Sequence, residues 1–434
     1  MSTSLPRKPA CRRVAMIDIP EPGEGGAHGF RHEEGHEAVL PLAAALARQG
    51  HAVDIYRVRT SAAQASCEDV QAGVRIHRVA LPGPWPLDHH GRLSQTVMAF
   101  ADAIKRAALQ VWPCDVVHAW GALAGLAGLR LTAGRVLPLV WSPGAGVCQG
   151  ALAGIASVLA RRADAVLCRS EAQRERLVQR FGALQGRTRV VSHGCDTTQF
   201  RPRARGALRL SLGLPPDGLL VLWGQGASDV WATSGREAPP AYLPFLRALH
   251  KLPAHTVTLG DPARSHGAPL SAVGVHCLPE GWRGLRGAAL RSAVCAAADV
   301  TVMPAAHWDP DHLCPRESMA CGTPVLVLPA VGDEELRSLV ADGAAGRMLR
   351  HAHPDALRDA LRDWPQHPRA AATLDMGCLL RARTFFTWAK AAEHTFAAYE
   401  AARRPAATRD DCRPLTLVRC LPRPLGAQPA GVNA

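Results

Sequence analysis

The 434-residue sequence contains very little lysine: four of its 50 basic residues are lysines and the others are arginines. The arginines are scattered, and aromatic residues, only 5% of the chain, are not interleaved with them. A dedicated nucleic-acid-binding surface is therefore not expected. The formal charge of +13 suits anionic partners such as nucleotide phosphates or an acidic lipid surface. A general bias toward arginine and alanine explains this charge at least as well.

Long apolar runs and paired cysteines are also missing. No stretch of about 18 uncharged apolar residues occurs, so we expect no transmembrane helix. The start, MSTSLPRKPACRRVAMIDIP, has basic residues but no apolar segment of signal-peptide type, which argues against secretion. The 13 cysteines are odd in number and include no C-x-x-C pair. This indicates buried thiols in a reduced, cytoplasmic protein rather than disulfides or structural zinc, and the basic surface permits peripheral contact with the inner face of an anionic membrane.

Short apolar strands alternate with helical segments along the chain. In the first half, RVAMIDI (13–19), HAVDIYRV (51–58) and DVVHAW (115–120) are strands of the buried type. The alternation stops at CDTTQFRPRARG (195–206), which has no periodicity, and resumes with GLLVLWG (218–224). This pattern predicts an α/β protein with two tandem doubly wound, Rossmann-like domains and a cleft between them.

The same pattern sets the predicted domain boundaries. We place an N-terminal Rossmann-like domain at 1–203 and a C-terminal one at 204–377; the family resemblance given below implies that the first is the acceptor side and the second holds the nucleotide-sugar donor. A helix over 378–404 is expected to return to the N-terminal domain. The Pro-rich segment 405–434 is expected to be a disordered tail.

The stretch HGFRHEEGHEAV (28–39) contains residues 32–36, HEEGH, which match the zinc-peptidase pattern H-E-x-x-H. Gly35 costs about 1 kcal/mol where that pattern needs continuous helix, and no third zinc ligand is evident. Residues 20–37 follow the first strand and so should face the cleft. We therefore favour polar, acceptor-side contacts over a zinc hydrolase, with a simple solvated loop as the remaining alternative. The acceptor-side candidates are Gly25, Gly26, His28 and His32.

Two longer stretches carry a family resemblance. ARRADAVLCRSEAQRERLVQRFG (160–182), followed by RVVSHGCDTTQFRP (189–202), resembles the end of the first domain and the linker of retaining, nucleotide-sugar-dependent glycosyltransferases of family four. Residues 296–349, which include DPDHLCPRESMACGTPVLVLP, are similar to the donor site of that family. The resemblance runs from about residue 12 to 403. It implies a GT-B fold and transfer from a nucleoside-diphosphate sugar to a glycan, lipid-linked or small-molecule acceptor, with no metal or other cofactor.

The resemblance also implies roles for individual residues. The family carries two glutamates separated by seven residues; here Asp309 and Glu317 occupy those positions. Glu317 is expected to accept hydrogen bonds from the ribose hydroxyls, and Asp309 to hold a hydroxyl of the donor sugar. The alternatives are a first-turn helix charge for Glu317 and a turn residue for Asp309. Further expected donor-site residues are Gly224, Gln225, Gly226, His312, Leu313 and Cys314; their backbone groups would approach the diphosphate.

Three departures from the family pattern bear on the chemistry. The Gly-Arg and later Lys that neutralise the diphosphate are replaced by Gly-Gln-Gly at 224–226 with no lysine following. In the family's H-x-H pattern, His118 is kept and is a candidate catalytic residue, but Trp120 replaces the second histidine. The stretch 138–146 also lacks a histidine that the family often carries there. Loss of one transition-state charge partner typically costs about 3 kcal/mol. A second hypothesis is therefore a catalytically silent homologue that binds a nucleotide sugar or a partner protein.

Overall fold

The structure, a computed structural model, describes two α/β units, each built on one sheet. The described residues are 13–19, 38–81, 90–107, 114–134, 137–144, 152–182, 184, 186–224, 243–259, 274–279, 281–303, 313–329, 334–340, 343–362, 364 and 368–403.

The first sheet has eight strands within the described residues, in the order β3-β4-β2-β1-β5-β6-β7-β8. Every neighbouring pair is parallel except β3 with β4. The strands are β1 Arg13–Asp18, β2 Ala52–Val58, β3 Cys67–Gln71, β4 Val74–Val79, β5 Val116–Trp120, β6 Leu139–Ser142, β7 Ala165–Cys168 and β8 Thr188–Val190.

The second sheet has six strands among the described residues, all parallel, in the order β11-β10-β9-β12-β13-β14. These are β9 Leu219–Trp223, β10 Ala254–Leu259, β11 Val275–Leu278, β12 Val300–Met303, β13 Val325–Val327 and β14 Gly346–Met348.

Helices cover both faces of each sheet. In the first unit these are α1 Val39–Arg48, α2 His90–Ala107, α3 Gly121–Thr132, α4 Ala153–Arg162 and α5 Glu171–Phe181. In the second they are α6 Arg205–Leu212, α7 Leu243–Leu249, α8 Gly287–Ala297, α9 Leu313–Ala320, α10 Glu334–Val340, α11 Pro354–Arg362 and α12 Pro368–Phe385, and the last described helix is α13 Trp388–Arg403. Among the described residues, no helix combines the length and apolar character needed to cross a bilayer.

Strand β1 shows why the sheet is buried on both faces. Val14 and Met16 belong to the core that includes α1 and α13, while Ala15 and Ile17 belong to the core that includes α2, α3 and α4. Alternate side chains of a strand point to opposite faces, so a strand covered on both sides reads as a continuous apolar run. The sequence RVAMIDI is such a run, and the predicted α/β class with two parallel-sheet units is confirmed.

The chain passes from the second sheet back to the first between α12 and α13. The predicted single helix over 378–404 is therefore wrong in one respect: the structure breaks it at Phe386 and Thr387. The break is stabilised locally, because the Thr387 hydroxyl accepts a hydrogen bond from the amide of Lys390 at 3.3 Å, as an N-cap does. Helix α13 then packs against α1 and against β6 and β7 of the first sheet.

Candidate active site

The strand orders place one switch point in each sheet. β1 lies between β2 and β5, and β9 lies between β10 and β12. In open parallel sheets, ligands bind beyond the carboxyl ends of the strands at the point where the order reverses. Ligands are therefore expected beyond the ends of β1 and β5 in the first sheet and of β9 and β12 in the second.

Gly224 directly follows β9 at the second switch point. Its amide donates to the carbonyl of Val302 on β12 at 2.7 Å. A Cβ at this position would lie 2.8 Å from the same carbonyl and would also collide with the sulfur of Met303. Only glycine lets the two backbones approach so closely, so Gly224 shapes this end of the sheet whatever ligand it meets.

Glu317 lies on α9, the helix that follows β12. Its side chain is buried, with 8% exposure, and is paired with Arg291 on α8. The guanidinium donates from Nε to Oε2 at 3.0 Å and to Oε1 at 3.2 Å, and from Nη2 to Oε1 at 3.0 Å. A bidentate pair of this kind fixes both the position and the rotation of the carboxylate.

Three buried thiols lie near enough to Glu317 for its charge to affect them. Burial is the main reason that the pKa of Cys195, Cys295 and Cys321 is raised, to about 12 for Cys321, and the charge of Glu317 contributes to each shift. The thiols are therefore neutral at physiological pH. Cys195, in the linker between the two units, belongs to the same buried core as residues of α9.

A pocket lies beyond the carboxyl ends of β5, β6, β7 and β8, beneath α13. It contains about 520 Å³ of empty space, part of it open to solvent. Its polar and aromatic lining consists of His118, Trp120, Ser142, Arg169, Gln173, Ser192, His193, Trp388 and Thr395. The pocket therefore combines ring faces with hydrogen-bonding groups, as sites for polar ring-shaped ligands do.

His118 is fully buried at the edge of this pocket. Its Nδ1 is 2.8 Å from the Tyr399 hydroxyl on α13, and its Nε2 is 2.8 Å from the Ser142 hydroxyl at the end of β6. A neutral imidazole donates through one nitrogen and accepts at the other, so the two contacts satisfy the ring. Burial lowers the pKa of His118 to about 3, which makes it a neutral group that ties α13 to the sheet.

His118→Gln should reduce the loss of stability in mild acid. Between the ordinary pKa of 6.5 and the folded value of about 3, the unfolded chain binds a proton that the folded chain excludes. Stability is therefore fully present above about pH 6.5 and falls with decreasing pH by up to about 1.4 kcal/mol per unit. Between about pH 7 and pH 5 this amounts to about 2 kcal/mol.

Urea unfolding at these two pH values measures the difference. Glutamine cannot titrate but keeps an amide for hydrogen bonding, so the variant should lose about 2 kcal/mol less than wild type on acidification. The matched control is His394→Gln, because His394 is exposed on the helix that carries Tyr399; it should leave the wild-type difference between the two pH values in place. Identical pH dependence of wild type and His118→Gln would contradict the conclusion that His118 is a buried, neutral group in the folded protein.

The structure brings together only part of the predicted site. Glu317 and Gly224 lie at the second switch point, Cys314 is buried on α9, and Leu313 begins that helix. His118 lies at the first-unit pocket. The other predicted residues lie outside the described residues, and their assignments stay predictions: Asp309, Gln225, Gly226, His312, Gly25, Gly26, His28 and His32.

Several site residues were not singled out from the sequence. Arg291 is 26 residues from Glu317, and Tyr399 is 281 residues from His118, so no local pattern links either pair. Arg169 was visible in the quoted stretch 160–182, and its place at the end of a predicted strand could have marked it as a pocket residue.

Two doubly wound units with switch points of this kind form the GT-B architecture, which defines a class of nucleotide-sugar-dependent transferases. The family model described as Glycosyltransferase Family 4 matches residues 37–199. The D-inositol 3-phosphate glycosyltransferase of Xylanimonas cellulosilytica is 32% identical, over 91% of this chain and 98% of that protein. The protein of the same name from Nocardioides sp. is 30% identical, with 90% of each chain covered.

Solved structures agree in fold. Sucrose-phosphate synthase from Thermosynechococcus elongatus matches with a TM-score of 0.71 at 23% identity, over 90% of this chain and 98% of that one. HepE of Anabaena in complex with UDP and glucose matches with a TM-score of 0.63 at 16% identity, over 90% and 99% of the two chains. The chain belongs to glycosyltransferase family 4. It is thus an enzyme that transfers a glycosyl group from a nucleotide sugar, and a zinc hydrolase is not supported.

Proposed function

We propose that this enzyme transfers a sugar with retention of anomeric configuration, from a nucleoside diphosphate held by the second unit to a hydroxyl group bound at the first. The observation that carries the proposal is the buried, bidentately held carboxylate of Glu317 after β12. A carboxylate accepts hydrogen bonds and donates none, so it matches the two hydroxyl donors of a ribose. Its fixed position means that little ordering is needed when the nucleotide binds.

The rest of the donor would extend from this point toward the end of β9. The glycine at 224 allows the chain to pass close to β12. In the proposal, backbone amides near 225–226 and 312–314 meet the diphosphate, aided by the dipole of α9, and Asp309 holds a hydroxyl of the donor sugar. Transfer would then need no resident metal. Treatment with a chelator should leave the rate unchanged, and a loss that magnesium restores would contradict this.

For the acceptor we propose a phosphorylated polyol in the first-unit pocket. The relatives named D-inositol 3-phosphate glycosyltransferase support this choice. In the pocket, Arg169 and His193 carry groups that can donate to a phosphate, while Trp120 and Trp388 present ring faces. The hydroxyl of Thr395 is buried and has no hydrogen-bond partner among the described residues, so it is available to a ligand hydroxyl.

The test is a transfer assay with a panel of UDP-, GDP- and ADP-sugars, offered with inositol 3-phosphate or with inositol. The proposal predicts acceptor-dependent release of one nucleoside diphosphate, a clear preference for the phosphorylated acceptor, and a product with the donor's anomeric configuration by NMR. Inversion of configuration would contradict transfer with retention. Equal use of both acceptors would contradict the choice of a phosphorylated polyol as the acceptor.

One observation favours the second candidate, a homologue that binds a nucleotide sugar without transferring it. Trp120 is only 5% exposed and packs on His118 with ring centroids 5.0 Å apart. It thus fills the position where the family carries a second histidine. Saturable binding of a nucleotide sugar without product formation for any acceptor would favour this candidate.

We propose that the enzyme is cytoplasmic and contacts anionic membranes peripherally; its formal charge of +13 supports the membrane contact. Co-sedimentation with phosphatidylglycerol vesicles, weakened by salt, is the expected result. Equal binding to neutral phosphatidylcholine vesicles, or none to either, would contradict the membrane contact.

A further inference from the structure

Arg291 is an ion-pair partner of Glu317, the carboxylate on which the proposed ribose contact depends. The three hydrogen bonds between the two side chains engage both carboxylate oxygens. Contact with both oxygens leaves the carboxylate one position and one rotation.

The helix that carries Arg291 is itself held in place. The Ser292 hydroxyl donates to the carbonyl of Gln199 at 2.7 Å and accepts from Arg203 at 2.9 Å, which ties α8 to the linker. The Thr323 hydroxyl donates to the carbonyl of Cys295 at 2.7 Å, which ties α8 to the segment after α9. Arg291 therefore projects from a fixed support, and Glu317 is fixed through it.

The exposures of the two side chains differ in a way that suits this arrangement. Glu317 is 8% exposed, whereas Arg291 is 30% exposed. A carboxylate buried to this extent needs a partner to remain ionised. An ionised carboxylate is also the form that accepts from both ribose hydroxyls without donating, so Arg291 supports the state of Glu317 that would recognise ribose.

We infer that Arg291 is a positioning residue for the donor: it holds the Glu317 carboxylate ionised and in one orientation, so that the enzyme recognises the ribose of its nucleotide. This inference rests on the proposed function of Glu317. Arg291 acts through Glu317 and need not contact the nucleotide itself. A guanidinium is required because an ammonium group cannot form the bidentate contact.

The test compares binding of a nucleoside diphosphate with binding of its 2′,3′-dideoxy form. Calorimetry on the full chain with UDP, GDP and ADP first identifies the base that binds. Wild type should bind the ribose form at least about 30-fold more tightly than the dideoxy form, because charge-assisted hydrogen bonds are lost in the latter. Arg291→Met should reduce this ratio to less than about 3-fold and leave the affinity for the dideoxy form nearly unchanged.

Two further variants keep the test decisive if Arg291→Met folds poorly. Arg291→Lys retains the charge and should fall between wild type and methionine. Arg205→Met is the matched control, because the Arg205 side chain on α6 is about as exposed as that of Arg291 and also forms an ion pair, with Asp375 at 3.0 Å. It should leave the ratio at the wild-type value.

The outcomes separate the inference from the function on which it rests. If Glu317→Gln abolishes the ribose preference but Arg291→Met and Arg291→Lys keep it, the inference is overturned and the donor site stands. If Glu317→Gln keeps the preference, the ribose assignment itself is overturned. Failure of all three diphosphates to bind wild type overturns both.

Discussion

Glu317→Gln should lower kcat/KM for the nucleotide-sugar donor by about 100-fold. Glutamine has the same shape but carries no charge and offers only one acceptor oxygen. Each hydrogen bond to a charged group contributes about 1.5–3 kcal/mol, and weakening two of them to a ribose by about 3 kcal/mol in total gives this factor. Most of the loss should appear in KM, because the ribose contact is made in the ground state as well as in the transition state.

Steady-state kinetics with the donor varied measures this loss. The matched control is Glu171→Gln, since Glu171 is an exposed first-turn glutamate on α5 that pairs with Arg174 one turn along. It should change kcat/KM by less than about 3-fold, as exposed pairs contribute little. If Glu317→Gln has an effect no larger than that of the control, Glu317 does not bind the ribose and is only a structural charge on its helix.

Gly194→Ala should destabilise the protein by about 3 kcal/mol or more, because no space exists for a methyl group. A Cβ on Gly194 would lie 2.6 Å from Cα of Trp388 and 2.7 Å from the carbonyl carbon of Thr387, and it would collide with the Trp388 nitrogen. All three atoms are backbone and cannot rotate away. The linker and the α12–α13 crossing would have to separate at this point.

That contact joins the two segments that run between the sheets. The amide of Cys195 donates to the carbonyl of Phe386 at 2.8 Å, and Cys195 forms a parallel bridge with Thr387. Separating these segments should therefore also slow transfer, since in the proposed function the donor and the acceptor bind to different units and need a fixed relation.

Thermal and urea unfolding, with the transfer rate, measure the effect. Gly206→Ala is the control, because a Cβ there meets no atom within 4 Å and Gly206 lies inside α6. Alanine at a helical position should stabilise by up to about 1 kcal/mol. Comparable behaviour of the two variants would show that the close approach at Gly194 is not a real constraint.

The sequence was sufficient for the architecture because its dominant signal is local. Apolar runs such as residues 13–19 and 218–224, separated by helical segments, specify buried parallel strands with little ambiguity. Two features escaped this reasoning. β3 is exposed along its whole length and antiparallel to β4, so it lacks the apolar signal. The break at Phe386 and Thr387 contains neither glycine nor proline, and it depends on the contact with Cys195.

The site was less predictable for a physical reason. Glu317 was recognisable because it is the second acidic residue of a motif that the family shares, but its pairing with Arg291 depends on how two helices pack. His118 was recognisable from its place after DVV, yet its neutral state comes from burial and from hydroxyl groups on other elements. A sequence pattern indicates which residue types lie at the ends of strands. It does not predict which charged side chains pack together in the folded protein.

The most direct test of the donor site is a crystal structure of the enzyme with its nucleoside diphosphate bound. The proposal predicts both ribose hydroxyl oxygens within about 3 Å of the Glu317 carboxylate, with the diphosphate between the start of α9 and the end of β9. A nucleotide bound elsewhere, or a ribose whose hydroxyls contact other groups and not Glu317, would contradict it.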